Sequence, residues 1–402
     1  MPLLPRAFIL VALFPFTLIA QGSHWNRFAE FGVIADTLMM RWPSLVTRGD
    51  TSVIAANVFP ATATEFSGEK RLAIVQVPGG MLPIPDGAFV FVHPHLVTDS
   101  EGTLHLVWAE PGTAGESTSS FMAPRVSLWH AAFRAGRWST PNKVLSGRSL
   151  GWFGTGRPVI PGTAGRIHIV VTAVLDDGQI VITYLRLAEN GSVEQESHWS
   201  GGAYASITAL RGDSVLVSFS TADALTPRRG SSTFVRVSGD GGRSWAEPAV
   251  ITRSAERPGS PPMVEQFGSE FHALWAEQRP GGSVVRGFIA ASPLEPWREI
   301  ESPLPLRGLP IRIVGAAARC GQYAVLFETM VGTPPDARIR IVEVYAHGNR
   351  LFGQEVFPQG ETAGNVAIAP AGDSLRIVLS LVRRGEKTTV NATSNGRACG
   401  TT

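Results

Sequence analysis

A short pattern recurs along the chain. A turn residue is followed by a strand of mostly apolar positions with polar ones set between them, the two-residue period of a strand. It appears as Thr51-Ser-Val-Ile-Ala-Ala, Thr103-Leu-His-Leu-Val-Trp, Arg166-Ile-His-Ile-Val-Val and Asp213-Ser-Val-Leu-Val-Ser. It returns as Glu270-Phe-His-Ala-Leu-Trp, Gln322-Tyr-Ala-Val-Leu-Phe and Ser374-Leu-Arg-Ile-Val-Leu. The third residues of these copies are Val53, His105, His168, Val215, His272, Ala324 and Arg376. A spacing of roughly 50 residues with several short strands per unit is the signature of a β-propeller.

Each unit reads as four strands. A Pro-led or apolar strand comes first, as in Pro94-His-Leu-Val or Pro262-Met-Val, and the recurring strand is second. A third follows a variable loop, and a fourth carries Trp138, Trp245 or Trp297. The expected fold is therefore all-β, a single propeller of seven four-stranded blades, with six as the alternative count. The last unit ends after three strands, and residues 28–35 (FAEFGVIA) are expected to supply the fourth and close the ring. Closure of this kind removes unpaired sheet edges.

Composition narrows the class. The chain has 402 residues, 44% of them hydrophobic, enough for a full core. Its 43 glycines and 29 prolines suit a turn-rich chain. With 35 Lys and Arg against 33 Asp and Glu, the net charge is only +2. That balance argues against a dedicated nucleic-acid binder, which needs a clustered basic excess. Residues 1–20 read as a signal peptide: Arg6 precedes a short apolar run at residues 7–20, too short to span a bilayer comfortably. The propeller domain then occupies residues 21–402, and the protein is expected to be secreted or periplasmic. Membrane attachment is expected only if the apolar run is retained as an anchor. Cys320 and Cys399 are the two cysteines, and in an oxidising compartment they are candidates for a disulfide tying the C-terminal tail to the body.

One motif carries a family resemblance. Ser238-Gly-Asp-Gly-Gly-Arg-Ser-Trp245 resembles the Asp-box (BNR repeat) of the sialidase-like propellers. Ser238, Asp240, Gly242 and Trp245 are its structural positions: the Asp bonds backbone N–H groups, the glycines allow positive φ, and the Trp packs into the blade. Phe133-Arg-Ala-Gly-Arg-Trp138 resembles a second copy that lacks the Asp. In the family the motif joins the third and fourth strands, away from the active site, so it speaks for fold. The resemblance also implies an arginine triad, a Tyr–Glu nucleophile and an acid/base Asp acting on an acidic sugar. Arg41, in Met40-Arg41-Trp42-Pro43, is the only position that partly matches the first arginine motif; the expected Asp after it is missing.

Other candidates come from the residues themselves. Trp108-Ala-Glu110 and Trp275-Ala-Glu277 place a Glu where the second strand leaves the sheet. Nearby loops hold arginines, among them Arg279, and a mixed Glu and Arg rim suits an anionic or sugar ligand. The loop at residues 147–157 displays Trp152 and Phe153 and ends at Arg157, a composition suited to sugar stacking or a partner hot spot. His93-Pro-His95 lacks a third ligand, so no metal is expected. His105, His168 and His272 hold equivalent strand positions and read as blade packing or cross-strand hydrogen bonds. There is no P-loop, no strand-linked G-x-G-x-x-G and no G-x-S-x-G, so no cofactor is expected. The leading expectation is a binding or scaffolding propeller for a glycan or an envelope protein. The alternatives are a sialidase-like exo-glycoside hydrolase and an extramembrane accessory subunit of a membrane complex.

Overall fold

The computed structural model describes residues 38–393 except 49, 61–70, 78, 87–91, 112–125, 148, 152–155, 176–178, 222–229, 280–281, 302, 307, 320–321, 332–337, 348, 356–361, 372–373 and 384–385. The chain is all-β among these residues and forms one β-propeller. Each sheet is an antiparallel meander in sequence order. Blade 1 is Leu38–Arg48, Thr51–Pro60, Arg71–Val77 and Gly80–Leu82. Blade 2 is Val92–Thr98, Leu104–Pro111 and Val126–Arg134, with an outer strand in two pieces, Arg137–Trp138 and Asn142–Gly147. Blade 3 has a divided inner strand, Ser149–Gly151 and Val159–Pro161, then Ile167–Val174, Ile180–Leu187 and Val193–Ser200. Blade 4 is Ala203–Ala209, Val215–Thr221, Ser231–Ser238 and Ala249–Ser254. Blade 5 begins with Arg257–Pro258 and Met263–Phe267, continues through Glu270–Arg279 and Gly282–Ala290, and ends with Arg298–Glu299 and Leu304–Leu306. Blade 6 is Leu309–Arg319, Gln322–Val331, Arg338–His347 and Arg350–Glu355.

The count of seven four-stranded blades is corrected to six, the alternative count. The last copy of the pattern, at Ser374, builds a sheet of only three strands: Thr362–Ala371, Ser374–Arg383 and Glu386–Thr393. Closure by an N-terminal strand is not supported either. Among the described residues this sheet meets blade 1 through side chains, Ala367 and Ala369 packing on Leu45, Ile54 and Ala56. Residues 28–35, the leader at 1–20, Trp152, Phe153, Cys320 and Cys399 all lie outside the described residues. The tryptophans also shift: Trp138 lies in an outer strand, whereas Trp245 and Trp297 precede theirs.

The core explains why the second strands are apolar on both faces. Each blade is sandwiched between two neighbours, so alternate side chains enter two different clusters. Leu106 and Trp108 pack toward blade 1, while Val107 and Ala109 pack toward blade 3. In blade 5, Ala273 and Trp275 join Leu216 and Val235 of blade 4, while Leu274 and Ala276 join Val325 and Phe327 of blade 6. Each such fully buried aliphatic or Phe side chain contributes about 1.5–3 kcal/mol of hydrophobic stabilisation.

The first strands of successive sheets lie side by side, so they line the axis. Every one of them is irregular at the same level. The register slips between Arg41 and Ser44, Val92 and His95, Ala203 and Ser206, and Gly364 and Ala367. In blades 3 and 5 the inner strand is broken there, and in blade 6 it shifts twice.

Candidate functional site

The two ends of the propeller are built differently. The turns joining third to fourth strands share one end with the turns joining first to second. The second-to-third hairpins and the blade-to-blade connections share the other.

At the first end, the Ser238–Trp245 turn joins Ser231–Ser238 to Ala249–Ser254, as the motif requires. Asp240 Oδ1 accepts from the N–H of Arg243 (3.0 Å) and of Ser244 (2.9 Å) and from Ser238 Oγ (2.8 Å). Its Oδ2 accepts from Ser244 Oγ (2.7 Å), and the N–H of Gly242 donates to Ser238 Oγ (2.7 Å). The hydrogen bonds from Ser244, then that from Ser238, hold the Asp240 carboxyl far below the usual carboxylate range. Gly241 (φ 70°) and Gly242 (φ 83°) need the left-handed region, and a Cβ on Gly242 would collide with the Tyr184 hydroxyl. The turn docks on blade 3: Arg186 Nη1 donates to Gly241 O (3.0 Å), and Trp245 lies edge-on to Tyr184 (4.8 Å) and Trp199 (4.9 Å). The turn therefore staples blade 4 to blade 3. The Phe133–Trp138 segment does the same one blade pair earlier. Trp138 packs on Phe133 (5.1 Å) and its Nε1 donates to Pro83 O of blade 1 (2.7 Å).

The histidines behave as cross-strand struts. His105 Nδ1 faces His130 Nε2 at 3.0 Å, and its Nε2 meets Asp99 Oδ2 at 3.2 Å. His168 Nδ1 meets the Tyr184 hydroxyl at 2.7 Å. Burial drives His130 down to about 3 and His168 to about 4. His272 of blade 5 instead lies beside the Phe267 ring (5.9 Å) and Glu270 (3.8 Å).

The opposite end holds the candidate ligand residues. Glu110 and Glu277 both close second strands, but in blades 2 and 5, so they are not brought together. Burial raises the Glu110 carboxyl, and the Lys143 charge partly offsets this. Glu277 and Arg279 do meet: Arg279 lines a cleft of about 600 Å³ between blades 4 and 5, and Glu277 lies buried behind that lining. Glu277 is 1% exposed, and its Oε1 accepts from Arg286 Nη1 at 3.0 Å. Arg286 is also gripped by both oxygens of Glu299, each at 2.7 Å, and lies over the Phe288 ring (4.8 Å). Burial alone would lower the Arg286 guanidinium, but Glu299 and Glu277 raise it above its usual value. Arg253 and Glu256 of blade 4 complete the cleft. Sequence reasoning missed Arg286, although an Arg within the apolar third strand Gly282–Ala290, paired with Trp275, was a readable signal.

Along the channel, Arg157 of blade 3 reaches Glu265 of blade 5 as an ion pair, and its carbonyl accepts from Ile207 N–H of blade 4 (2.9 Å). Arg41 lies in the inner strand of blade 1, cross-strand from Asn57 and beside the register slip. Sequence reasoning weighed His93 only as a metal ligand and gave Tyr204 no role; His93 (φ 52°) and Tyr204 (φ 54°) lie inside the slips of blades 2 and 4. Burial raises the Tyr204 phenol above its usual value, and the Arg257 charge draws it back. Among the described residues no group of three His, Cys, Asp or Glu is arranged to hold a metal ion.

Six complete blades with bulged inner strands define the fold as a β-propeller, and the Ser238–Trp245 turn at a third-to-fourth connection resembles an Asp-box. Two solved structures agree on this fold. A protein of unknown function from Dyadobacter fermentans superposes with a TM-score of 0.55 at 13% identity, covering 91% of this chain and 98% of that one. An ulvan lyase of a new polysaccharide lyase family gives 0.53 at 13% identity, covering 90% and 94%. Trypanosoma rangeli sialidase gives 0.42 at 13% identity, covering 90% of this chain and 55% of its own. No family model and no curated protein sequence matches the chain.

Proposed function

We propose that this is a secreted or periplasmic propeller that binds a glycan at its channel mouth. The observation that carries the reading is the pair His93 and Tyr204. Both are held in the left-handed region at the same slip of two inner strands. The other non-glycine residues at positive φ, Ala135 and Ala164, sit in tight turns, where that conformation is ordinary. A bulky side chain there costs of order 1–3 kcal/mol, and such strain clusters at binding and catalytic sites. His93 and Tyr204 stand at the end of the channel where Arg257, whose charge acts on the Tyr204 phenol, also lies. That mixture of fixed donors and acceptors suits a hydroxyl-rich ligand carrying a carboxylate. The ulvan lyase of similar fold, named for a polysaccharide, is compatible with this reading.

Calorimetric titration with trigalacturonate and 3′-sialyllactose tests it. One of the two is expected to bind, with Tyr204→Phe and Arg257→Ala each weakening it roughly tenfold, the loss of one charge-assisted or neutral hydrogen bond. No glycan binding by the wild-type chain would overturn the reading, and a stoichiometric envelope protein in the native complex would replace it. An exo-acting hydrolase is the second reading, favoured by the place of Arg41 beside the slip of blade 1. Release of sialic acid from 3′-sialyllactose, abolished in Arg41→Ala, would establish it. N-terminal sequencing of the mature chain tests the leader: a start near Gln21 excludes a retained anchor.

A further inference from the structure

The cleft between blades 4 and 5 adjoins the channel mouth, since Arg257 pairs with Gln278 between Glu277 and Arg279, but it has its own chemistry. We infer that it is a second binding site, and that it takes a neutral, hydroxyl-rich sugar unit.

Its volume, about 600 Å³, falls in the range of small-molecule sites. Its floor is preorganised. Arg286 is fixed from two sides by the paired oxygens of Glu299 and by Glu277, and from below by the Phe288 ring. Such locking is what a recognition site needs and what an ordinary solvated rim lacks. Behind it stands an unmet demand. Glu277 is buried, its Oε1 is satisfied by Arg286, and its Oε2 accepts no hydrogen bond. Arg279 Nη2 lies 3.9 Å from that oxygen, beyond hydrogen-bonding range, on a side chain 38% exposed. A buried carboxylate oxygen left without a donor is costly, and native proteins commonly meet it with water or ligand.

The charge pattern selects the ligand. The lining arginines Arg253, Arg279 and Arg286 are matched by Glu256, Glu299 and Glu301, so the lining offers little net field to a strongly charged partner. It offers carboxylate acceptors beside guanidinium donors. A sugar hydroxyl is donor and acceptor at once. One that displaces Arg279 slightly can donate to Glu277 Oε2 and accept from the arginine, and a vicinal hydroxyl can do the same with Arg253. An anion would instead face Glu256 and Glu299, and an ammonium would face the arginines.

Two-site titration tests this, with cellotriose, mannotriose and maltotriose as neutral probes and trigalacturonate as the acidic one. At least one neutral trisaccharide is expected to bind. Arg253→Ala and Arg279→Ala, both at exposed positions, should each weaken it at least fivefold, and Tyr204→Phe should leave it unchanged. Glu277→Gln should weaken it further. If that variant unfolds, the two arginine variants decide alone. No neutral binding, or neutral binding that neither arginine variant alters, overturns the inference and leaves the channel-mouth reading standing. Trigalacturonate binding lost in both arginine variants makes the cleft an anion site and overturns the neutral assignment. Failure of trigalacturonate and 3′-sialyllactose with neutral binding intact sinks only the channel-mouth reading.

Discussion

The Ser238–Trp245 turn and the opposite end of the propeller use polar groups differently. In the turn, both oxygens of Asp240 and the hydroxyl of Ser238 are engaged, and positive φ falls on glycine, where it costs little. At the other end, positive φ falls on His93 and Tyr204. Buried polar atoms there go without hydrogen bonds: both side-chain atoms of Asn57, Thr172 Oγ1, Ser283 Oγ and Glu277 Oε2. Unmet buried atoms occur at the stapling end too, at Trp245 Nε1 and His130 Nδ1, and Ala135 and Ala164 take positive φ in its turns; what sets the opposite end apart is positive φ on large side chains and a buried carboxylate oxygen without a donor. One end fixes the blades to each other; the other is where the proposed glycan would bind.

The largest expected effect breaks the stapling end. Gly242→Ala adds a left-handed alanine and drives its Cβ into the Tyr184 hydroxyl. Strain of about 1–3 kcal/mol and overpacking of about 1–3 kcal/mol predict a loss near 4 kcal/mol. Denaturant unfolding measures it. A loss below 1 kcal/mol would mean that the turn is not the clamp between blades 3 and 4.

Acid is the next lever, and it also acts on the struts. His168 is near 4 in the folded chain and close to 6.5 when unfolded, so the unfolded chain binds more protons between those values. Stability is therefore complete above pH 6.5, falls as pH drops through 6.5 toward 4, and levels off below. A shift of this size corresponds to roughly 3 kcal/mol for one such group. His130, lower still for the same reason of burial, extends the decline toward pH 3. The check is the unfolding midpoint from pH 8 to pH 4 in wild type and in His168→Gln. The variant should show a shallower decline. Parallel curves would mean that His168 is protonated in the folded blade at the same pH as in the unfolded chain.

Much of the stapling end was legible in the sequence, because its signals are local. Ser238 to Trp245 lie within one turn, and Phe133-Arg-Ala-Gly-Arg-Trp138 keeps enough of that turn to be placed in blade 2. The strand positions of His105 and His168 followed from the repeat, though their partners His130 and Tyr184 did not, since register across two strands sets them. The blade count went wrong where a repeated strand does not guarantee a complete sheet, at Ser374. The ligand end was less readable. Glu277 and Arg279 were marked by the Trp-Ala-Glu repeat, but Arg253 and Glu256 come from the neighbouring blade and Glu299 from an outer strand. Tyr204 gave no signal at all. Its importance lies in a backbone angle imposed by the slip between Ala203 and Ser206, and no side-chain pattern encodes it.

The smallest expected effect is the sharpest test of the contrast, because its sign is reversed. Tyr204→Gly removes a half-buried ring, which by itself destabilises. It also relieves a left-handed non-glycine residue, which stabilises by about 1–3 kcal/mol, offset by up to about 1 kcal/mol of extra chain entropy in the unfolded state. If the ring is held for a ligand and contributes little to packing, the variant should gain about 1 kcal/mol in denaturant unfolding while losing glycan binding. Gly242→Ala and Tyr204→Gly are thus opposite exchanges at the two ends, one installing strain and the other relieving it. A Tyr204→Gly chain that unfolds earlier than wild type and still binds would make the ring a packing element. The two ends would then differ in geometry but not in purpose.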